Sequence, residues 1–294
     1  MIHNIWYIII LLSVIIIFIL IKKSRKEGFE NVDINIGNVL SVYYYDYFIS
    51  LLKKEHFYYK NNKPFIKLFP EFIPFEQELS DKLENKGITY ERYKNYENES
   101  FWTSETPEKQ VIHGIMKPYM NKIMNDVFTN NKLVKEVKYP IIHFRCADTP
   151  FIKHPHYYLQ KYKYFKDALQ SIPKFDKIII LSCNKHLSSE ENEKSCNEYV
   201  TMLQNELTRY NPKIQCGTNV DDFISMFYAP VVISTQSSYS FMAGFFGNST
   251  YIQPNFMEDN KECEDCFNDW RGYSLSHEMV TDYHDTEKVY NLLN

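Results

Sequence analysis

Apolar and polar positions divide this chain into three unlike stretches. Ile5 to Ile21 read IWYIIILLSVIIIFILI without a charge, and Lys22, Lys23, Arg25 and Lys26 follow at once. A helix needs about 20 apolar residues to cross ~30 Å of hydrocarbon, so the run predicts a transmembrane helix over 5–21 and a juxtamembrane linker over 22–32. A secretory signal would place charge before its apolar run and a small-residue cleavage site after it. Neither is present, which predicts a retained single-pass anchor. The basic flank points the large domain towards the cytosol. Two sequons, Asn98-Glu99-Ser100 and Asn248-Ser249-Thr250, are usable only on the luminal side. The two signals disagree, and the sequence leaves the side open.

Beyond the linker, Val39, Leu40, Tyr43, Tyr47, Phe48 and Leu51 fall on helical spacing. They predict a helix over 39–54, with Gly37-Asn38 as the turn into its N-terminus. Residues 63–135 are rich in aromatics and hold one clear helical stretch, around 108–128; their topology is not legible. The second half alternates regularly. Strands are expected at 137–144, 177–182 (KIIILS), 213–216, 230–234 (PVVIS) and 251–252. Helices are expected between them at 157–172, 193–210, 221–229 and 238–246. Short apolar strands alternating with helices predict a parallel sheet covered on both faces. We read 33–135 as one α/β domain, 136–256 as a Rossmann-like domain, and 257–294 as a polar tail with some helical character.

Composition narrows the function classes. With 44% hydrophobic and 24% charged residues the soluble part is expected to fold. A net charge of -4 argues against a nucleic-acid binder but permits a local basic pocket. Of Cys146, Cys183, Cys196, Cys216, Cys263 and Cys266 only the last two are close. A zinc site needs about four ligands, so that pair reads as a local disulfide or two thiols, and no metal is expected. His277-Glu278 and His284 do not fit H-E-x-x-H and read as surface residues.

Ligands of a doubly wound sheet bind at the carboxyl ends of its strands, and three features fall there. His143-Phe144-Arg145-Cys146-Ala147-Asp148 ends the first strand of the second half and puts Arg145 at its mouth. A planar, permanently charged guanidinium can fork onto phosphate oxygens there, or simply pair with a local Asp. Ser234 to Ser240 (STQSSYS) links a strand to a helix, where hydroxyls and N–H groups make an anion site or a plain N-cap. Asp221-Asp222 opens a helix as a cap or shapes a nucleotide pocket.

These segments are where the chain resembles a known family. HFRCAD matches the HxRxxD pattern of the α1,2-, α1,6- and protein-O-fucosyltransferases. DDFISMFYAPVVISTQSSYSFMAGFFGN resembles that group's later motif, and INIGNVLSVYYYDYFISLLKKE its N-terminal segment. The order and spacing of the three agree, over about half of the soluble chain. The resemblance implies a GT-B fold: two Rossmann-like domains, with 33–135 on the acceptor side. It also implies GDP-fucose as donor, inversion at the anomeric carbon, and catalysis in the Golgi or ER lumen. By analogy Arg145 holds the β-phosphate, His143 supports it, and Asp148 orients the loop. Ser237, Ser238 and Tyr239 approach the diphosphate, as does the Gly37-Asn38 turn, while Asp222 and Asn184 face the nucleoside. The chain departs from the family at Cys146, where a second arginine is frequent, and at Lys153, where α1,6 members carry a glutamate base. The Gly-rich turn is reduced to Gly37-Asn38.

Transfer from a nucleotide sugar builds negative charge on the departing diphosphate, so stabilising it is the protein's largest task. No Asp-x-Asp triplet is present, consistent with metal-independent transfer, and no cofactor is implied beyond the GDP-sugar. A base for the acceptor hydroxyl is expected among Asp148, His154 and His156. The acceptor is a glycan or protein hydroxyl of unread identity. The rival readings are a GT-B transferase with another nucleotide sugar and a non-catalytic membrane-tethered scaffold. A hydrolase lacks its G-x-S-x-G elbow.

Overall fold

The computed structural model describes residues 36–94, 107–146, 149–151, 159–183, 189–235, 237–253, 280 and 282–294. The expected anchor and linker lie outside these, and no helix among the described residues is long and apolar enough to cross a membrane.

The second half builds one five-stranded parallel sheet from β3 (Ile141–His143), β4 (Ile178–Leu181), β5 (Pro212–Gln215), β6 (Val231–Ser234) and β7 (Thr250–Ile252), in the order β5-β4-β3-β6-β7. The chain enters at the centre, runs outward through β4 to β5, returns to pair β6 beside β3, and ends at β7. The strand order therefore reverses between β3 and β6, the doubly wound pattern whose crevice binds ligands.

Side-chain alternation explains why these strands are apolar throughout. Ile141, Ile179, Leu181 and Val232 face one core, whereas Ile142, Ile178, Ile180, Val231 and Ile233 face the other. The second face is covered by α5 (Tyr162–Gln170), α6 (Glu190–Glu206) and the C-terminal α9 (Thr286–Leu293). Val289 and Leu293 of α9 are fully buried, so the expected polar tail ends as part of the core.

The first face is covered by α7 (Asn219–Tyr228), by the short α8 (Ser238–Ser240) with a π turn at Phe241–Phe245, and by N-terminal helices. The latter are α1 (Ile36–Lys53) and α4 (Pro107–Asn130); between them lie a two-residue hairpin, β1 (Phe57–Tyr58) with β2 (Phe72–Ile73), and the short α2 (Gln77–Glu84) and α3 (Tyr90–Tyr93). Residues 36–94 and 107–130 thus share one core with the sheet. A second Rossmann-like sheet has no counterpart among the described residues.

Helix α1 is buried on nearly every side, which explains its tyrosines. Tyr43, Tyr44 and Tyr45 each bring a hydroxyl to a partner: Pro70 O at 3.0 Å, His113 Nδ1 at 2.8 Å and Tyr93 O at 2.9 Å. A ring fills volume as phenylalanine would, and the hydroxyl ties the helix to a neighbouring segment. The helix also begins earlier than its periodicity suggests. Gly37 and Asn38, expected in a turn, lie in its first turn.

Candidate functional site at the strand-order switch

The carboxyl ends of β3 and β6 are joined by one threonine. Thr235 donates from its N–H and from Oγ1 to the His143 carbonyl, at 3.1 and 3.0 Å. The same Oγ1 accepts from the Arg145 N–H at 3.0 Å. Arg145 leaves β3 already fixed against β6, and its half-buried side chain sits at the mouth of the switch. Thr235 stands in the STQSSYS stretch singled out in the sequence, but its role as the tie between β3 and β6 depends on a partner 92 residues away.

The start of α1 lands on the same spot. Ser238 Oγ donates to Asn38 Oδ1 at 2.7 Å, and a Cβ on Gly37 would stand 2.4 Å from the Tyr239 nitrogen. No acidic side chain occupies the first turn of α1, so the positive end of this 18-residue helix is not offset there. Ser237 holds the N-cap position of α8 without a side-chain cap bond, so capping does not account for its hydroxyl. Tyr239 is tied into the turn. Its phenol donates to the Asn219 carbonyl, and its ring packs 5.5 Å from His143 and 5.4 Å from Phe223. It positions the turn.

His143 is the uncharged member of the group. Burial first, and the Arg145 charge second, lower its pKa to about 3. Its buried Nδ1 has no hydrogen-bond partner among the described residues. At neutral pH it is an imidazole, able to support a neighbour but adding no positive charge.

Two strands away, beyond β4, β5 ends in a second arrangement. The buried Asp222 accepts from the Gly217 N–H at 3.0 Å and from Gln215 Nε2 at 3.4 Å. Burial raises its pKa, with the Gly217 N–H, Gln215 and Lys135 opposing. A Cβ on Gly217 would meet Asp222 Oδ1 at 2.6 Å, so this close turn needs glycine. The helix cap is Thr218, which accepts from the Asp221 N–H at 3.0 Å, and not an aspartate. Asp221 pairs with Lys135 at 2.8 Å. Adjacent strands lie about 4.8 Å apart, so the β5 end is ~10 Å from Arg145's strand, the reach of a nucleoside from its phosphate.

Two disulfides that the sequence reading missed hold this edge. Cys146–Cys196 ties the residue after Arg145 to α6, and Cys183–Cys216 joins the ends of β4 and β5. Cys146, which stands where the family often has a second arginine, therefore contributes a crosslink. The signal was present: Cys183 follows the expected strand 177–182, and Cys216 ends the next expected strand, 213–216.

No family model matches the chain. No characterised protein and no solved structure matches it either.

Asp148, His154, His156 and Asn184 lie outside the described residues, as do Cys263, Cys266, His277 and Glu278. His284 stacks on Phe151 at 4.9 Å and shares a contact with Ser195 at 3.2 Å. No three His, Cys, Asp or Glu side chains among the described residues converge as a metal site. An open groove of about 710 Å³ along α6 is flanked by Glu190, Glu193 and Glu198, with Lys194 the one cation among the described residues of its lining. Its acidic lining suits a diphosphate poorly.

Proposed function

We propose that the chain is a membrane-anchored, inverting glycosyltransferase that moves fucose from GDP-fucose to a hydroxyl of a glycan or protein. One observation carries this reading. Three segments far apart in sequence, 37–38, 143–145 and 237–239, meet where the strand order reverses, and they are the segments that resemble the fucosyltransferases.

In this reading the diphosphate sits at the switch. Arg145 and the positive end of α1 stabilise the charge that builds on GDP as the glycosidic bond breaks. Ser237 offers a hydroxyl to a phosphate oxygen, and Thr235 and Tyr239 hold the two loops in register. The nucleoside lies across β4 towards Gly217 and Asp222, over the Cys183–Cys216 crosslink. The acceptor hydroxyl is deprotonated by a group on the loop after Arg145, with Asp148, His154 and His156 as candidates. The two-domain GT-B arrangement belongs to this proposal.

The test is calorimetry on the detergent-solubilised full chain, with GDP, GDP-fucose, UDP and UDP-sugars, beside Arg145→Ala. A lost charge-assisted phosphate contact of about 2–3 kcal/mol corresponds to roughly 30- to 150-fold in Kd. Guanine-selective binding that Arg145→Ala weakens by this much supports the reading. Uridine selectivity would keep the site and discard fucose. A folded chain that binds neither class would sink the transferase.

A further inference from the structure

We propose that Asn248 carries an N-linked glycan, and hence that the folded domain faces an oxidising lumen. This inference does not depend on the transferase reading.

The first support is covalent. All four described cysteines are paired, in disulfides that close 50 and 33 residues. Disulfides of this structural kind persist in the secretory lumen or outside the cell and are rare in the cytosol. The basic flank after the apolar run argues for the opposite side, but large domains translocate largely regardless of flanking charge.

The second support is the presentation of the sequon itself. Asn248-Ser249-Thr250 runs from the turn after Phe245 into the first residue of β7, with Asn248 and Thr250 exposed and Ser249 buried. Ser249 Oγ reaches the Met226 and Ala229 carbonyls at 3.0 and 2.7 Å, which fixes the turn. The orientation of the Asn248 amide follows from its neighbours. Asn121 Nδ2 donates to the Phe246 carbonyl at 2.9 Å, and Asn121 Oδ1 accepts from Asn125 Nδ2 at 2.8 Å. A carbonyl can only accept, so the amide group of Asn121 that faces it is the nitrogen. That nitrogen also meets Asn248 at 3.0 Å, and the atom it meets must be Oδ1. Asn248 Nδ2, the atom that bears the sugar, is thereby turned away from Asn121. Beside Asn248 an open groove of about 380 Å³, lined by Lys117, Pro118 and Asn121 among others, leaves room for the first sugar.

The modification is a transfer from a lipid-linked oligosaccharide pyrophosphate. A bond forms between Asn248 Nδ2 and the sugar C1, and the bond from C1 to the pyrophosphate oxygen breaks. The lipid pyrophosphate leaves with that electron pair, and the amide gives up one proton. Thr250, two residues on, supplies the hydroxyl that makes the triplet an acceptor.

The experiment expresses the full chain in a eukaryotic cell and maps its peptides after peptide N-glycosidase treatment in heavy-oxygen water. Heavy-labelled Asp at position 248 is expected, with one glycoform lost from the intact protein in Asn248→Gln. Thr250→Val removes the acceptor while keeping the Asn121–Asn248 contact and should lose the same glycoform, whereas Thr250→Ser should keep it. An unmodified Asn248 peptide from folded chain overturns the proposal. So does ready alkylation of Cys146, Cys183, Cys196 and Cys216 without reductant, which would place the domain in the cytosol.

Discussion

Gly37 and Tyr239 touch backbone to backbone: a Cβ on Gly37 would lie 2.4 Å from the Tyr239 nitrogen and 2.5 Å from its Cα. Glycine inside a helix ordinarily costs stability, and replacing it with alanine gains up to about 1 kcal/mol. Here the sign reverses. Gly37→Ala is expected to destabilise the fold by about 1–3 kcal/mol through overpacking and to weaken GDP binding. Gly114→Ala, in α4 where nothing stands within 4 Å of an added Cβ, is expected to be neutral or stabilising. Urea denaturation of the two variants, with GDP titrations alongside, reads both signs.

The tyrosines of α1 predict opposite outcomes for one chemical change. Tyr44→Phe removes the hydroxyl from buried His113 and should cost about 1–3 kcal/mol. Tyr47→Phe removes a buried hydroxyl that has no partner among the described residues, and should be neutral or slightly stabilising. Comparing midpoints of thermal unfolding decides this; equal losses in both would show that shape and not hydrogen bonding matters there.

Acid should unfold this protein through two histidines. Burial first, and Lys109 second, lower His113 to about 3, as burial and Arg145 do for His143. The unfolded chain binds these protons near pH 6.5 and the folded chain does not, so their contribution is present above pH 6.5 and declines as pH falls towards 3. Each histidine steepens that decline by at most about 1.4 kcal/mol per pH unit. Stability measured between pH 7 and 4 should show the slope, and His113→Gln should make it shallower.

The sheet was legible because KIIILS and PVVIS are buried on both faces, leaving no polar alternation to confuse with a surface strand. Arg145 and the Ser237–Tyr239 turn were legible because strand ends of a doubly wound sheet are where ligands bind. What escaped notice depends on partners far along the chain. Gly37-Asn38 read as a turn because glycine weakens a helix; only the approach of Tyr239 explains its place inside one. Asp222 read as a cap or as part of a nucleotide pocket; the cap is Thr218, and Asp222 folds back on Gly217. Cys183–Cys216 follows from the pairing of β4 with β5 and Cys146–Cys196 from where α6 packs, neither of which spacing along the chain reveals. Within 63–135 only the helix around 108–128 was legible, and it is present as Pro107–Asn130; the topology of the rest was not, because its apolar pattern answers to the sheet's face.

Breaking Cys146–Cys196 should affect stability and donor binding together. In the chain-entropy account, crosslinks closing 50 and 33 residues are each worth about 4 kcal/mol. Cys146→Ala/Cys196→Ala is expected to lower the urea midpoint and weaken GDP binding, because the chain after Arg145 is released. The double variant at Cys183 and Cys216 should lower the midpoint similarly. Unchanged midpoints in both would show that the crosslinks do not hold the fold.

The bond from Ser238 to Asn38 spans 200 residues of sequence. Helix α1 emerges early in synthesis, yet the turn it docks on is made only after most of the sheet has been translated. Until then α1 can pack only on the segments up to α4, through Tyr43 on Pro70, Tyr45 on Tyr93 and Tyr44 on His113, while contacts of such long range make folding slow. The switch-point crevice is therefore among the last parts of the molecule to come into existence.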